Sequence, residues 1–436
     1  MPCQTYRRPP LSLLATTALA GLTLALPGAA LSRTYDAVEV RGAKMIPEED
    51  IRQTCGAEPG VYMEDIELSA IEDCLMSTGV FETVRLSAEG DTLVIAVTEV
   101  EQSPGRVEAS VFHVSDKGLT GSLSYEQYNL LPDTFGAVHL EFSRDVTSVD
   151  ASLYRPDLLG KDLDGGIDLK WEHSDFEDLA FSVRNVQAAA YMAWTPGDNL
   201  RVEYGLGFRA HKMDGIDADA SALLRSEADS IDAPFLRLGL TYTTPVEGQD
   251  GKPTPRGASV ELDQYLWNIG TDDLLSETRL RLDGRQSLGD KLELLVGLSG
   301  GVVVGLSDND TRAIDRFYPG GDTFRGFAPR GIGPVDAGDM LGGNRYLIGS
   351  VELRRAFKFH DREFHGGLFY DIGSVWDLDN DLGGRIDDGW HTRSSVGLSL
   401  TFDLANTPVS LYVAEPLKHQ PGDDRQSFGI RISARF

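Results

Sequence analysis

The feature that most constrains the fold is a series of segments, alternating between apolar and polar residues, that fills residues 105–436. We identify sixteen of them, separated by Asp, Gly, Asn and Pro and not interrupted by a helical period. The first three and the last three cover Arg106–Ser115, Leu119–Asn129, Ala137–Asp145, Ser394–Leu404, Pro408–Glu415 and Arg425–Phe436. Such alternation predicts β-strands with two unlike faces. A long series of strands favours a closed barrel, because closure removes the unpaired edges.

The last segment indicates which surroundings the outer face meets. One face carries Phe428, Ile430, Ile432, Ala434 and Phe436, and the other carries Gly429, Arg431, Ser433 and Arg435. A soluble β-sandwich can alternate in this way, but a terminal aromatic residue opposite two arginines suits lipid outside and a polar lumen inside. After residue 30, no run approaches the roughly 18 apolar residues that a membrane-spanning helix needs. The sequence predicts an all-β transmembrane barrel of about sixteen antiparallel strands.

The lengths of the connections agree with a barrel whose two ends differ. If both ends of the barrel chain are periplasmic, every second connection is extracellular, and the extracellular connections are the long ones in such barrels. The long stretches Asp214–Asp229, Ser307–Gly343 and Asp379–His391 all fall on that side. Thr244–Arg256 is the exception, because it is long for a periplasmic turn.

The N-terminus, residues 1–30, has the layout of a secretory signal peptide. Arg7 and Arg8 precede an apolar stretch over Leu11–Leu26, and small residues follow it. We expect cleavage after Ala30, with cleavage at Ser32 as the second choice. The alternative is an uncleaved membrane anchor. Together with the predicted barrel, a bacterial-type signal peptide predicts a location in the bacterial outer membrane.

Residues 34–103 predict a small α+β domain in front of the barrel. The predicted order is a strand, two helices and a hairpin: Tyr35–Val40, Pro47–Thr54, Met63–Ser77, Phe81–Leu86 and Thr92–Val100. Cys55 ends the first helix and Cys74 lies in the second, and an exported protein meets an oxidising compartment where the two can pair. Two inert buried thiols are the alternative, because a metal or catalytic site would need further ligands.

Charge and motifs argue against several functions. The net charge of −28 disfavours nucleic acid as a partner, since phosphate contacts require clustered Lys and Arg. Gly297–Gly301 matches a nucleophile-elbow pattern, but the strand continues where hydrolases turn into a helix. The aspartates of Asp377–Asp381 alternate like a calcium loop, but Leu382 stands where glycine is required. We expect no enzymatic activity, no cofactor and no metal.

One constellation of charges remains, and it involves the longest interruption between strands, residues 307–343. Arg325 is followed there by Gly326 and Phe327, among aromatic residues that need a surface to pack on. In the next two segments, alternation places Glu352 and Asp371 opposite the apolar faces, and therefore in the lumen. A buried arginine is costly alone, and bidentate pairing with carboxylates can hold it there. The alternative is three surface charges that never meet.

Several stretches together resemble a known family. They are Phe317–Phe327, Gly342–Asn344, Ser350–Leu353, Phe369–Trp376 and Tyr412–Leu417. These stretches are similar to the barrel of the BamA, TamA and mitochondrial sorting-and-assembly superfamily, the bacterial surface antigen family. Thr78–Val84 with Val94–Glu101 resembles the closing hairpin of a polypeptide-transport-associated (POTRA) domain. One POTRA-like domain is predicted, where the main assembly factor has several.

The resemblance implies a folding factor for other barrels. By that likeness, Arg325, Gly326 and Phe327 lock the sixth extracellular loop inside the barrel against Glu352 and Asp371. The first and last strands form a weak seam, where Gly429 lets the last strand bend inward.

The partners implied are outer-membrane lipid, unfolded β-barrel clients and periplasmic or lipoprotein accessory factors. The POTRA-like domain would lie in the periplasm and add client strands to its edge, or act only as a spacer. Two other functions stay open: a two-partner secretion pore that exports one passenger, and a passive barrel.

Overall fold

The computed structural model describes residues 33–435 except residues 44–45, 47, 49–50, 53–54, 58, 60–61, 64, 79, 100–104, 115–116, 198, 245–247, 250–251, 254–256, 290, 307, 361 and 405–406. The predicted signal peptide and Phe436 lie outside the described residues, as do the side chains of residues 431–435. The chain divides between Gln102 and Ser103 into two compact units.

The first unit contains a three-stranded sheet and a helix. Its main elements are β1 Ala37–Arg41, α1 Asp65–Ser77, β2 Phe81–Glu89 and β3 Thr92–Glu99. The order across the sheet is β1-β3-β2, with β1 parallel to β3, and Arg33–Thr34 pairs with Tyr62–Met63. Apolar side chains of α1 and of the strands share one core because each element is apolar on one face.

Two predictions for the first unit concern its helices and cysteines. The helix predicted over Pro47–Thr54 lies partly outside the described residues, although Ile51 and Arg52 are helical. Cys55 and Cys74 are joined by a disulfide, with their Cα atoms 5.9 Å apart. The disulfide therefore links the segment that follows the helical residues Ile51 and Arg52 to α1.

The second unit is a closed antiparallel barrel of sixteen strands in the described residues, which confirms the predicted fold class. Its strands are β4 Gly105–Val114, β5 Gly118–Leu131, β6 Thr134–Phe142, β7 Val146–Arg155, β8 Leu163–Ser174, β9 Ser182–Gly197, β10 Leu200–Asp214, β11 Ser230–Thr243, β12 Gly257–Trp267, β13 Leu275–Ser287, β14 Leu292–Gly305, β15 Arg345–Phe359, β16 Arg362–Trp376, β17 Arg393–Leu404, β18 Thr407–Lys418 and β19 Phe428–Arg435. Each strand pairs with its neighbour in sequence, and β19 pairs with β4.

The two faces of the barrel wall differ in polarity. On β15, Leu347, Val351 and Leu353 point outward and are 40–48% exposed, whereas Glu352 points inward and is 5% exposed. The same alternation places many large apolar side chains on the outer surface, as expected for a wall that faces lipid. In the described part of the chain, helices long and apolar enough to cross a membrane are absent.

The long connections gather at one end of the barrel. They are residues 215–229, which include the short helix α2 Ala222–Ser226, residues 306–344 and residues 377–392. The exception, residues 244–256, is at the other end and lies partly outside the described residues. The last predicted strand is divided: Arg425–Gln426 pairs with Gly326–Phe327 of the long connection, and only Phe428–Arg435 joins the wall. The backbone of the long connection, and not the barrel wall, therefore pairs with Arg425–Gln426.

Candidate functional site

We call residues 306–344 loop 6, since they form the sixth connection at the end with the long connections. Loop 6 contains two short 3-10 turns, Ala313–Asp315 and Gly321–Thr323, and a two-residue hairpin pair, Val335–Asp336 with Asp339–Met340. The loop packs inside the barrel. Phe324, Phe327 and Ile332 are fully buried against Ile348 and Val375 of the wall, and the two phenylalanine rings meet edge to face at 4.8 Å.

The residue between those phenylalanines carries the charge. Arg325 Nε donates to Asp371 Oδ2 at 2.9 Å, and its NH2 donates to Asp371 Oδ1 at 2.8 Å, so the two side chains form a bidentate pair. Arg325 NH1 donates to Glu352 Oε2 at 2.6 Å. The exposed fractions of the three side chains are 15%, 2% and 7% for Arg325, Asp371 and Glu352. The structure thus brings together the three residues that the sequence pointed to.

The surrounding groups satisfy both carboxylates. Ser350 Oγ donates to Asp371 Oδ1 at 2.7 Å, while Ser399 Oγ and Arg354 Nε donate to Glu352 Oε1 at 2.7 and 3.1 Å. Two guanidinium groups therefore face two carboxylates, and the cluster is neutral. A neutral, fully hydrogen-bonded cluster reduces the cost of burying its charges.

Glycines explain how the loop and the wall come so close. Gly326 has a φ of +97°, and a methyl group there would lie 2.9 Å from Cβ of Ser395. Gly367, on β16, leaves the space that the Glu352 carboxylate occupies. Arg325 also stacks on Phe369, its Cζ lying 3.4 Å from the ring centroid. Both glycines are required by close approach of other groups to the backbone.

A second buried cluster was not predicted from the sequence. Asp315 of loop 6 accepts from Arg312 Nε at 3.0 Å and from Arg209 NH2 of β10 at 3.4 Å. Burial acts to raise the pKa of Asp315, but the charges of the two guanidinium groups outweigh burial and lower the pKa. Arg316 pairs with Glu227, whose pKa burial raises. The available signal was the presence of Arg312 and Arg316 close to Asp315 in a loop rich in glycine.

Among the described residues, the junction between the first and last strands is the shortest in the wall, one pair shorter than the junction between β18 and β19. β19 and β4 pair from Arg435 opposite Ser110 to Ile432 opposite His113, four residue pairs, whereas β4 and β5 pair along ten. Within the described residues, Gly105–Ala109 of β4 lack a partner on β19. The barrel is therefore closed by a narrow contact.

Four of the five predicted seam residues, Phe428, Gly429, Ile430 and Ile432, lie on β19. Phe428 points outward and is 51% exposed, Gly429 is buried on the inner face, and Ile430 is half-buried. The side chain of Ile432 and the whole of Phe436 lie outside the described residues. In the described ranges, no three His, Cys, Asp or Glu side chains are arranged to hold a metal.

Comparison with known proteins identifies the family. The model of the Omp85 superfamily domain matches residues 134–436, which is most of the barrel. The chain belongs to the Omp85 superfamily. This membership confirms the resemblance seen in the sequence and identifies the chain as an outer-membrane barrel.

Named relatives of this Omp85 chain occur in animals and bacteria. The chain is 25% identical over 406 residues to the Sorting and assembly machinery component 50 homolog A of Xenopus laevis, covering 82% of this chain and 81% of that protein. It is 24% identical to the Outer membrane protein assembly factor BamA of Neisseria meningitidis, covering 82% of this chain and 50% of that protein. For homolog B of Xenopus laevis the match spans 60% of the relative.

A solved structure supports the fold. The crystal structure of BamA from Haemophilus ducreyi lacking POTRA domains 1-3 superposes with a TM-score of 0.79 at 19% identity. The superposition covers 93% of this chain and 85% of that one. At this identity the likeness concerns the fold alone.

Proposed function

We propose that this Omp85 protein is an outer-membrane assembly factor, which helps β-barrel proteins to fold and insert through a seam between β4 and β19. The observation that carries the proposal is the four-pair contact between these strands. The names of the relatives, an assembly factor and a component of a sorting and assembly machinery, support the same activity.

The seam suits a strand that enters from the side. Separating β4 from β19 breaks a short ladder and leaves two edges, and a client strand can pair with such an edge by β-augmentation. Unpaired backbone groups are costly in hydrocarbon, so a client that pairs as it inserts avoids that cost. The ten pairs between β4 and β5 keep the β4 edge attached to the wall while the seam opens.

The proposed role of the Arg325 cluster is to hold loop 6 in the lumen while the seam works. Glu352 and Asp371 lie on β15 and β16, three and two strands before β18. A loop fixed to these strands lies in the lumen and braces the wall near the last two strands. Catalysis of this kind needs binding and positioning, and no covalent step.

The first unit, residues 34–103, is proposed to be a POTRA-like periplasmic domain that receives clients. Its outer strands β1 and β2 form the edges of the sheet, where an extended client segment can pair. The proposed partners are outer-membrane lipid, unfolded barrel clients and periplasmic or lipoprotein accessory factors.

Closing the seam covalently tests the proposal. In the double variant Phe112→Cys and Ser433→Cys the new thiols sit at opposite positions across the seam, so oxidation should stop assembly of newly made barrels and reduction should restore it. The matched control is Ser124→Cys with His139→Cys, which bridges β5 and β6. Assembly is followed by proteomics of the outer membrane. Unchanged assembly with a bridged seam would contradict the proposal.

Depletion of the protein tests the range of clients. A fall of many unrelated barrels is expected. Loss of a single secreted protein would indicate a two-partner secretion pore, and no change would indicate a passive barrel.

A further inference from the structure

An uninterrupted row of inner-wall groups runs from loop 6 to the last strand. The guanidinium of Arg325 covers the ring of Phe369 on β16. The ring of Phe369 meets the ring of Tyr412 on β18 edge to face, with 6.2 Å between centroids and 86° between planes. Phe369, Tyr412 and Ala414 form one buried cluster. The row therefore crosses three strands towards the seam.

The row ends where the ring of Tyr412 packs on Gly429 of β19. Tyr412 lies directly opposite Gly429 in the strand pairing. A methyl group on Gly429 would overlap the Tyr412 ring, so this ring occupies the place that a side chain of β19 would take. Phe369 covers Gly397 of β17 in the same manner. Aromatic rings over glycines thus join β16, β17, β18 and β19 on the inner face.

A second attachment joins loop 6 to the stretch that leads into β19. Ala328 N donates to Asp424 O at 3.0 Å, and Asp424 N donates to Gly331 O at 2.9 Å. Asp423 forms a bidentate pair with Arg393 of β17, and the two side chains are 1% and 2% exposed. The approach to β19 is consequently fixed at Asp424 to loop 6 itself, and at Asp423 to Arg393, which also donates to Gly333 O of loop 6.

We propose that Tyr412 is a positioning residue, which makes the pairing of β19 with β4 depend on whether Arg325 is docked. While Arg325 is docked, its guanidinium packs on the ring of Phe369, whose edge contacts Tyr412. The ring of Tyr412 in turn packs on the inner face of Gly429. When Arg325 leaves, Phe369 loses the cation–π contact, its contact with Tyr412 weakens, and β19 is no longer supported on its inner face. In the described part of the chain, four residue pairs then keep the seam closed. The inference rests on the proposed function in that it treats this seam as the one that opens.

Hydrogen exchange of the seam amides tests the inference on the purified full chain in lipid nanodiscs without a client. Exchange of a protected amide follows the opening equilibrium, so rare open states are detected. Removing one aromatic contact in Tyr412→Ala should raise exchange of residues 110–113 by about fivefold. Tyr412→Phe keeps the ring and should leave it near the wild-type rate.

A matched control exists elsewhere in the wall. Tyr191 of β9 lies directly opposite Gly166 of β8 and covers it in the same way. Tyr191→Ala should leave seam exchange unchanged, because β8 and β9 are remote from the seam in the strand order. Equal acceleration of the seam by Tyr191→Ala and Tyr412→Ala would mean general weakening of the barrel, and would overturn the inference.

The double variant separates coupling from packing. If Arg325 acts on the seam through Tyr412, then Arg325→Ala and Tyr412→Ala together should accelerate exchange no more than the stronger single change. If the acceleration in the double variant instead equals the product of the two single accelerations, Arg325 does not act on the seam through Tyr412. Folding is checked by heat-modifiable migration on gels, and Tyr412→Leu serves as the second variant if Tyr412→Ala does not fold.

The outcome is distinguishable from that of the proposed function. Exchange is measured without a client, whereas the cross-linked seam is scored by client assembly. If Tyr412→Ala accelerates exchange at the seam but the cross-linked seam still assembles clients, the proposed function is wrong and the coupling through Tyr412 stands. If the cross-link stops assembly but Tyr412→Ala leaves seam exchange unchanged, the proposed function stands and the coupling is wrong.

Discussion

Replacing Arg325 by alanine is the perturbation whose effect can be worked out most fully. The change removes four side-chain hydrogen bonds, two to Asp371, one to Glu352 and one to Ser350. Glu352 keeps Arg354 as a partner, so its charge remains compensated. Asp371 keeps Ser350 alone among side-chain partners, so one buried carboxylate loses its counter-charge.

The size of the effect follows from burial. Asp371 is 2% exposed and Arg325 15%, which places the pair among buried ion pairs. Breaking such a pair costs about 3–5 kcal/mol. Two hydrogen bonds to Asp371 remain, from Ser350 Oγ and from the backbone N–H of residue 325, and they favour the lower end of this range. A cost of about 3 kcal/mol raises the undocked fraction of loop 6 by roughly a hundredfold. Arg325→Lys keeps the positive charge but loses the bidentate geometry of the guanidinium group. We therefore expect it to raise the undocked fraction of loop 6 by roughly tenfold.

Hydrogen exchange of amides in residues 324–331 measures this fraction. The matched control is Arg330→Ala in the same loop, because its partner Asp178 is 35% exposed and the pair is correspondingly weaker. In cells, Arg325→Glu should insert into the membrane but fail to replace the wild-type protein. Exchange no faster in Arg325→Ala than in Arg330→Ala would refute the reasoning.

Three further predictions concern other parts of the structure. Gly326→Ala should loosen loop 6, since its φ of +97° and the nearby Ser395 exclude a methyl group; exchange of residues 324–331 measures this. Because the pKa of Asp315 is lowered in the folded protein, its ionised form stabilises loop 6 at pH values above the usual aspartate pKa. This contribution should vanish as the pH falls through the folded-state pKa, and the protease sensitivity of loop 6 should then rise. Replacing Cys55 and Cys74 by serine opens a loop of 19 residues and should cost the first unit about 3 kcal/mol in urea unfolding.

Each of these has a clear contrary result. Unchanged exchange in Gly326→Ala would mean that the wall yields to a methyl group. The same acid sensitivity in wild type and Asp315→Asn would assign the pH effect to other groups. An unaltered urea midpoint after loss of the disulfide would mean that the first unit does not depend on the bond.

Much of the barrel could be predicted from the sequence because lipid and lumen impose opposite demands on alternate residues. That rule placed Glu352 and Asp371 on inner faces and Leu347 and Val351 on outer faces, as the structure has them. Strand ends were less certain, since backbone pairing continues past the apolar pattern. The strand predicted over Ala137–Asp145 begins earlier for this reason, at Thr134. It also ends earlier, at Phe142, because Ser143 N donates to Val146 O in the turn that follows.

The Asp315 cluster and the row through Tyr412 could not be predicted in the same way. Asp315 and Arg209 are 106 residues apart, and a loop without a repeat gives no register to place them. Tyr412 and Gly429 each fit an ordinary strand pattern, and their contact depends on which residue of β18 stands opposite which residue of β19.

The sequence by itself determined the number of strands and which side chains point into the lumen, because both follow from the alternation of apolar and polar residues. It also indicated the three charged residues of the loop site, because a buried arginine needs carboxylate partners. Only the tertiary structure decided how far β4 and β19 pair, because the register between these two strands, which are distant along the chain, is set by closure of the whole barrel. It also decided which ring covers which glycine, because that depends on which residues stand opposite each other in neighbouring strands.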